Sequence, residues 1–434
     1  MKVARADGLT AAGGLTLAAA LVCMAVSAMA LGRFGVPYDT AGGSSLAKVH
    51  PSTWMFALAL AARAAAQTDP MAWIAGLPRR FPGAAIFAPT LALTIAFGVV
   101  VQHSPATALI DTFFGGLAML VLHEDLNVFE RRMLRDGAHA FMALNALVGL
   151  GEYFGHFRLT PFVAAGVEIT DDVRSTALLG HPLANAAATG IYVATLVLSS
   201  RWRAAPTRRI ALIALQMAAM VAFGGRTAFV LTAILLGAKL AFALFSVVAG
   251  RRFALRDAAL AALFAPMAIL VLYMALDQGL ASSFIDRFLD DKGSADARFA
   301  ALDLFSSFST QDILFGPDPG MLADRQRTFG IEYGIENSWL GLVLEYGALM
   351  ASMLIAGFLA LLADFARRAQ PGVGYIIVML LILASSAASL SVKSLLFPQF
   401  AILLLAVFSS PAPARVAPAR ATPRPSARPQ AAWS

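Results

Sequence analysis

The chain has 434 residues, of which 59% are hydrophobic and only 14% charged, and its mean hydropathy is +0.72. Soluble domains carry about a quarter charged residues, so this composition excludes an ordinary soluble protein and indicates one that is embedded in a membrane. The single cysteine, Cys23, excludes an intramolecular disulfide, and the net charge of +7 arises from basic residues in short segments between apolar runs, which argues against a nucleic-acid partner.

Apolar runs long enough to cross a bilayer recur along the whole chain. They predict an all-α polytopic membrane protein of about 12 transmembrane helices with a large periplasmic loop between spans 9 and 10. The predicted spans are 11–31, 52–66, 84–102, 105–122, 138–156, 181–200, 209–223, 226–249, 257–280, 337–362, 374–392 and 394–410.

The distribution of basic residues predicts the orientation of these spans. With a cytoplasmic N-terminus, 20 of the 33 lysines and arginines fall in segments on the inside of the membrane, and every short inside loop is basic. Cytoplasmic loops carry such an excess of positive charge. We therefore expect a multi-pass protein of the bacterial inner membrane with both termini cytoplasmic.

Outside these spans the chain divides into two long periplasmic loops and a tail. Residues 1–410 form one predicted membrane domain, with periplasmic loops at 157–180 and 281–336, and 294–308 has the apolar spacing of a helix within the second loop. Residues 411–434 are rich in proline and arginine, which predicts a disordered basic cytoplasmic tail.

Three arginines lie where spans meet the predicted periplasmic side. Arg174 precedes span six, Arg226 opens span eight after two glycines, and Arg298 lies on the predicted loop helix. A guanidinium keeps its charge and offers forked donors that suit phosphate or pyrophosphate, although one interfacial arginine can equally extend to lipid headgroups.

Polar residues also mark the starts of two spans. His181 precedes a proline at the first turn of span six, which suits ordinary capping or a solvated interface position. Asn337 is placed to cap span ten. Glu336 beside it can either interact favourably with the positive end of the helix dipole or accept a proton from a substrate.

Two charged residues within predicted spans favour another class of function. Lys239 falls near the middle of span eight and Asp111 lies inside span four. Charges inside a membrane should pair or line a cavity, and this pattern suits a secondary transporter.

Several segments resemble the O-antigen ligase and Wzy-type polysaccharide polymerase superfamily of bacterial inner membranes. They are "RSTALLGHPLANAAA" (174–188), "GGRTAF" (224–229), "ARFAALDLFSSFSTQDILFGPDPG" (297–320) and "ENSWLGLVLEYGALM" (336–350), in this order around the large loop. The resemblance covers 174–350. It departs from the family pattern at position 336, where the usual histidine is a glutamate.

The resemblance implies glycosyl transfer from an undecaprenyl-pyrophosphate-linked glycan to an acceptor glycan at the periplasmic face. Arg174 and Arg226 would bind the pyrophosphate, Glu336 would activate the acceptor hydroxyl, and His181, Asn185, Arg298 and Asn337 would contact substrate. No cluster of metal-ligand residues is evident, so we expect neither a metal nor a cofactor. Other polysaccharide assembly proteins are possible partners beside the bilayer itself. The expected activity is polymerisation of repeat units for exopolysaccharide or O-antigen, with transfer to lipid A core by a ligase as the alternative.

Overall fold

A computed structural model describes residues 8–39, 44–164, 167–169, 172–200, 206–249, 294–331 and 334–410. The predicted span 257–280, residues 281–293 of the 281–336 loop and the 411–434 tail lie outside these residues.

Helices make up most of the described chain. Their bounds are α1 Ala11–Ala25, α2 Ala28–Arg33, α3 Pro51–Ala65, α4 Pro70–Arg80, α5 Pro82–Val100, α6 Thr107–Asp125, α7 Val128–Gly155, α8 Pro182–Leu198, α9 Pro206–Phe223, α10 Arg226–Val248, α11 Ser294–Ser306, α12 Thr310–Phe315, α13 Pro319–Thr328, α14 Ser338–Arg368, α15 Val373–Ser385 and α16 Leu396–Phe408. A two-stranded antiparallel hairpin joins β1 (Val163–Ala164) to β2 (Val167–Glu168), with Val163 opposite Glu168.

Four of the described helices are long and apolar enough to cross a membrane, namely α5, α6, α9 and α14. Helices α1, α8, α15 and α16 are apolar but have 17 residues or fewer. The protein is therefore a helical membrane protein, as its composition predicts.

Several predicted boundaries differ from the observed helices. The first apolar run, 11–31, is two helices, because Val26 is extended and Ser27 caps α2 through the Ala30 N–H. Helix α4 was not predicted, since its 11 residues include Arg79, Arg80 and an internal proline. Helix α15 ends at Ser385 instead of 392. The helix expected over 294–308 is confirmed as α11.

Helix α16 lies at the centre of the bundle. Every residue of α16 is buried, and the helix packs against α6 and α8. Phe397 on α16 joins Phe113 on α6 and Phe358 on α14 in an aromatic cluster with ring centroids 5.0 to 6.1 Å apart. A helix that is apolar on all sides is expected in such a core position.

One end of the bundle carries a cluster of arginines, which we call the basic end. Arg63 and Arg80 pair with Asp125 at 3.2 and 2.9 Å, and Arg368 pairs with Glu124 at 3.0 Å. These contacts bring together the last turns of α3, α4, α6 and α14.

The direction of two helices defines the opposite end. Gln370, just after α14, accepts hydrogen bonds from Ser199 Oγ at 3.3 Å and Ser200 N at 3.0 Å, just after α8. Because α8 and α14 both finish beside Gln370 at the basic end, their first residues lie toward the opposite end of the bundle. His181 and Asn337 are the N-caps there.

Candidate functional site

The segment between the hairpin and α8 is fixed by a buried carboxylate. Glu152, in the last turn of α7, is 2% exposed, and its Oε2 accepts hydrogen bonds from Thr176 N at 2.9 Å, Ala177 N at 2.8 Å and Ser175 Oγ at 2.5 Å. Ala177 has φ of +40°, a conformation that non-glycine residues rarely adopt. These hydrogen bonds hold the turn in place and satisfy the buried carboxylate, which would be costly to bury without donors.

A pair of buried asparagines extends this support into α8. Asn145 Nδ2 on α7 donates to Asn185 Oδ1 at 2.9 Å, and Asn145 Oδ1 accepts from Leu178 N at 3.0 Å. The Asn185 amide donates to Thr176 O at 2.5 Å and to His181 O at 3.0 Å. Asn185 is fully buried, so its observed contacts position the backbone around it.

Arg174 lies at the start of this fixed segment. Its Nε and Nη2 donate to Asp172 Oδ2 at 2.7 and 2.5 Å, and its guanidinium lies 5.6 Å from the centre of the Phe162 ring. The side chain of Arg174 remains 24% exposed. One side of the guanidinium is thus held by a carboxylate and an aromatic ring, while the group keeps contact with solvent.

His181 shares the same aromatic ring. Its ring meets Phe162 edge-on with centroids 5.2 Å apart, and Nδ1 accepts from Leu183 N at 3.2 Å as the N-cap of α8. An accepting Nδ1 assigns the proton of the neutral ring to Nε2. Burial, reinforced by the charge of Arg174, lowers the pKa of His181 to about 4, so this imidazole is neutral near pH 7.

The residues between α1 and α2 also contact this site. Gly180 has φ of +72°, and a Cβ at this position would lie 2.3 Å from Ser27 Oγ, so only glycine fits between α8 and the cap of α2. The neighbouring Val26 O lies 2.9 Å from His50 Nε2. The ends of α1, α2, α3 and α8 therefore meet here.

Arg226 is brought to the same end by the turn between α9 and α10. Ser175 N donates to Ala222 O at 3.0 Å, which ties the Arg174 segment to the last turn of α9. A Cβ on Gly225 would lie 2.2 Å from the Ala186 Cβ, so the glycine allows the turn to pack closely on α8. Half-buried Arg226 follows as the first residue of α10.

The described part of the large loop packs on α14. Residues Ala301, Leu304, Phe308, Leu322, Ile331, Ile335 and Leu344 form a separate apolar cluster. Arg325 crosses it, with Nη1 donating to Ser307 Oγ at 2.7 Å and its guanidinium 4.6 Å from the Phe308 ring centre. Arg298 belongs to α11, and its side chain lies outside the described part of the structure.

Glu336 and Asn337 come directly after this cluster. Asn337 Oδ1 accepts from Trp339 N at 3.0 Å and Leu340 N at 3.1 Å, which confirms the predicted N-cap. Glu336 is exposed, and within the described ranges no ion pair joins it to Arg174. Ser338 Oγ donates to Ala387 O at 2.7 Å and accepts from Leu390 N at 2.9 Å.

A backbone break within α14 sets the position of Glu336. Gly347 has φ of 79° and ψ of 153°, and a Cβ there would lie 2.4 Å from the Phe315 carbonyl carbon of α12. Residues 348–368 extend about 30 Å from Gln370 toward the opposite end of the bundle. Helix α15 starts beside Gln370 and has 13 residues, so it extends only about 20 Å in the same direction. Because Ser338 bonds just past the end of α15, residues 338–346 turn back into the bundle.

These helix lengths place the His181 and Glu336 segments at similar distances from Gln370. Helix α8, with 17 residues, places His181 about 25 Å from Gln370. The folded-back start of α14 places Asn337 near the end of α15, at about 20 Å. The Arg174, His181 and Arg226 segments and the Glu336 segment therefore share one end of the bundle.

Asp111 and Lys239, the two charges predicted within spans, lie in different surroundings. Asp111, in a π-helical turn of α6, is fully buried and accepts from Thr53 Oγ1 at 2.7 Å and Tyr38 OH at 2.9 Å. Lys393 Nζ donates to Tyr38 O at 2.6 Å beside it. Lys239 is exposed on α10, an element distinct from those that surround Asp111.

Sequence reasoning missed the residues that hold the arginine segment, namely Glu152, Asn145, Phe162, Asp172 and Ser27. A carboxylate and an amide seven residues apart, at 145 and 152, lie on one face of α7 within the predicted span 138–156, and this spacing was the available clue. Among the described residues, no group of three or more His, Cys, Asp or Glu could hold a metal ion.

No family model matches this chain, and no curated protein and no solved structure is significantly similar to it. The site described above is therefore interpreted from its own geometry.

Proposed function

We propose that this protein is a membrane glycosyltransferase that polymerises undecaprenyl-pyrophosphate-linked oligosaccharide repeat units at the periplasmic face of the bacterial inner membrane. The observation that supports this function best is that the Arg174 and Arg226 segments pack together at the same end of the bundle as the start of α14, which follows the exposed carboxylate of Glu336. Cationic donors and a proton acceptor at one end of an apolar bundle suit a lipid-linked pyrophosphate donor and a sugar acceptor.

The proposed reaction uses these groups in defined roles. An acceptor hydroxyl oxygen attacks the anomeric carbon of the donor sugar while the bond from that carbon to the pyrophosphate oxygen breaks. Arg174 and Arg226 stabilise the charge that develops on the departing polyprenyl pyrophosphate, because guanidinium groups keep their charge and suit phosphate oxygens, and Arg174 is already held by Asp172. Glu336 accepts the proton of the acceptor hydroxyl as the general base.

The remaining predicted residues support these three. Neutral His181 offers its Nε2–H beside Arg174, whereas Asn185 and Asn337 hold the backbone at the starts of α8 and α14. Arg298 on α11 is proposed to contact the donor from the loop side.

The finer topology is part of the same proposal. We propose about twelve spans, a periplasmic loop between spans 9 and 10 and cytoplasmic termini. Support comes from the basic end, where Arg63, Arg80 and Arg368 gather at the end opposite His181, as the excess of positive charge on the cytoplasmic side requires.

A pair of charge-neutralising variants tests the activity. In cells that depend on this gene for polymer, E336Q and R226Q should each reduce polymer by at least about 100-fold, since a general base or an oxyanion donor contributes that much. The matched controls are E168Q, at an exposed hairpin carboxylate, and R327Q, at an exposed loop arginine. Immunoblots of washed membranes verify that each variant is inserted.

The intermediate that accumulates identifies the reaction. Single repeat units on the lipid carrier are expected for a polymerase. Full-length lipid-linked polymer would instead assign the chain as a ligase acting on lipid A core. Normal polymer in both site variants would overturn glycosyl transfer at this site and leave the transporter class to be tested with D111N and K239Q.

A further inference from the structure

A large apolar cavity lies at the basic end, far from the site described above. Its volume is about 510 Å³, and its walls come from α3, α4, α5 and α6, including Leu60, Trp73, Ala85, Leu117 and Val121. The indole N–H of Trp73 is already paired, since it donates to Asp125 Oδ2 at 3.3 Å. A cavity of this size with such walls suits a hydrocarbon chain and offers nothing to a polar solute.

Helix α4 forms the wall of the cavity nearest the arginines, and we take this side as its mouth. No residue of α4 is buried, and Trp73, Ile74, Leu77 and Pro78 face the cavity while Arg79 and Arg80 occupy its last turn. A short helix with one apolar side and basic residues is typical of a segment that lies in the membrane interface. The cavity therefore opens at the level where lipid headgroups lie.

The charge around this mouth is positive. Within the described residues, six arginines lie at this end, and five of them contact Glu124, Asp125, Asp364 or nearby backbone oxygens; the arginines are Arg63, Arg79, Arg80, Arg131, Arg367 and Arg368. Arg79 is exposed and, among the described residues, forms no hydrogen bond or ion pair. Basic residues beside an apolar pocket between membrane helices attract anionic lipid headgroups.

We propose that this cavity binds one acyl chain of an anionic phospholipid of the adjacent leaflet, with the lipid phosphate at Arg79. The apolar walls accept the chain, and the surplus of positive charge selects the headgroup. This site lies at the other end of the bundle from Arg174, and it does not depend on the proposed glycosyl transfer.

Native mass spectrometry of the full chain in detergent tests the proposal. The probes are phosphatidylglycerol and phosphatidylcholine with identical acyl chains. We expect wild-type protein to retain phosphatidylglycerol at least about fivefold more tightly than phosphatidylcholine. A85F, which fills the cavity, should weaken binding of both lipids, and R79E should weaken only phosphatidylglycerol.

Matched controls separate the cavity from the general lipid-facing surface. A92F adds the same bulk to an exposed position elsewhere on α5, and R132E reverses an exposed charge elsewhere on α7 at the basic end. Both should bind lipid as the wild type does. Unchanged binding in A85F would overturn the acyl-chain site, and equal retention of both lipids by the wild type would overturn headgroup selection. Displacement of phosphatidylglycerol by a polyprenyl phosphate at equal concentration would overturn the choice of occupant.

Discussion

At the scale of single residues, the candidate site depends on the buried carboxylate of Glu152, which supports the site from behind the exposed arginine. Glu152 gathers the amides of Thr176 and Ala177 and the hydroxyl of Ser175, and this contact fixes the segment from which Arg174 projects. The sequence indicated the arginine, because a charge at the border of an apolar span stands out. Glu152 was harder to recognise in this role, because two of its partners are backbone amides about 25 positions away, and only its spacing from Asn145 on α7 offered a clue.

His181 provides a prediction of pH dependence. Its folded-state pKa of about 4 lies below the ordinary value of about 6.5, because burial and Arg174 disfavour the imidazolium. The stability that the neutral ring contributes is complete above about pH 6.5 and is lost as the pH falls from 6.5 to 4, where the unfolded chain takes up a proton first. H181N retains a capping side chain but cannot titrate.

We therefore expect the unfolding temperature of the wild type to fall more steeply than that of H181N between pH 6.5 and pH 4. Thermal unfolding in one detergent at several pH values measures the difference. Asp172 and the other carboxylates titrate equally in both proteins, so the comparison isolates the imidazole. Parallel curves for the two proteins would contradict a depressed pKa at His181.

At the scale of elements, hydropathy predicted the positions of the helices along the chain better than it predicted breaks within them. The apolar run 337–362 corresponds to α14, but the prediction treated it as one straight span. The break at Gly347 arises from contact with α12 in the loop, where the Gly347 backbone packs against Phe315 and Gly316. A contact between distant segments leaves no periodic trace in either of them, so local patterns could not reveal it.

Replacing this glycine tests the break. The φ of 79° and ψ of 153° at Gly347 fall in a region that is essentially restricted to glycine, so G347A should cost about 1–3 kcal/mol before any clash with Phe315 is counted. We expect a lower unfolding temperature and faster proteolysis of residues 294–331, because α12 loses its docking surface. G374A, at an open helical position, is the control and should leave both unchanged or slightly improved. Equal behaviour of the two variants would show that the break is not required.

At the scale of the whole molecule, composition and charge predicted a helical membrane bundle, and the arginine cluster at one end has the asymmetry expected of a cytoplasmic face. The sequence did not predict how far each helix extends across the bundle. Helices α15 and α16 have only 13 residues each, about 20 Å, so the polar segment between them lies below the ends of longer helices. Irregular backbone at such depth requires cover by protein or a water-filled cavity, and the folded-back start of α14 provides that cover.

The orientation of the bundle can be tested with a single introduced thiol, because the chain has one cysteine and it is fully buried. In a C23A background, E168C lies on the hairpin beside the candidate site and R132C lies at the basic end, both at exposed positions. If the basic end is cytoplasmic, a membrane-impermeant maleimide should label E168C in intact spheroplasts and R132C only after permeabilisation. The reverse pattern would put the arginine cluster outside and Arg174 inside. A periplasmic transfer by Arg174, Arg226 and Glu336 would then be impossible, whereas the lipid cavity would remain, facing the opposite leaflet.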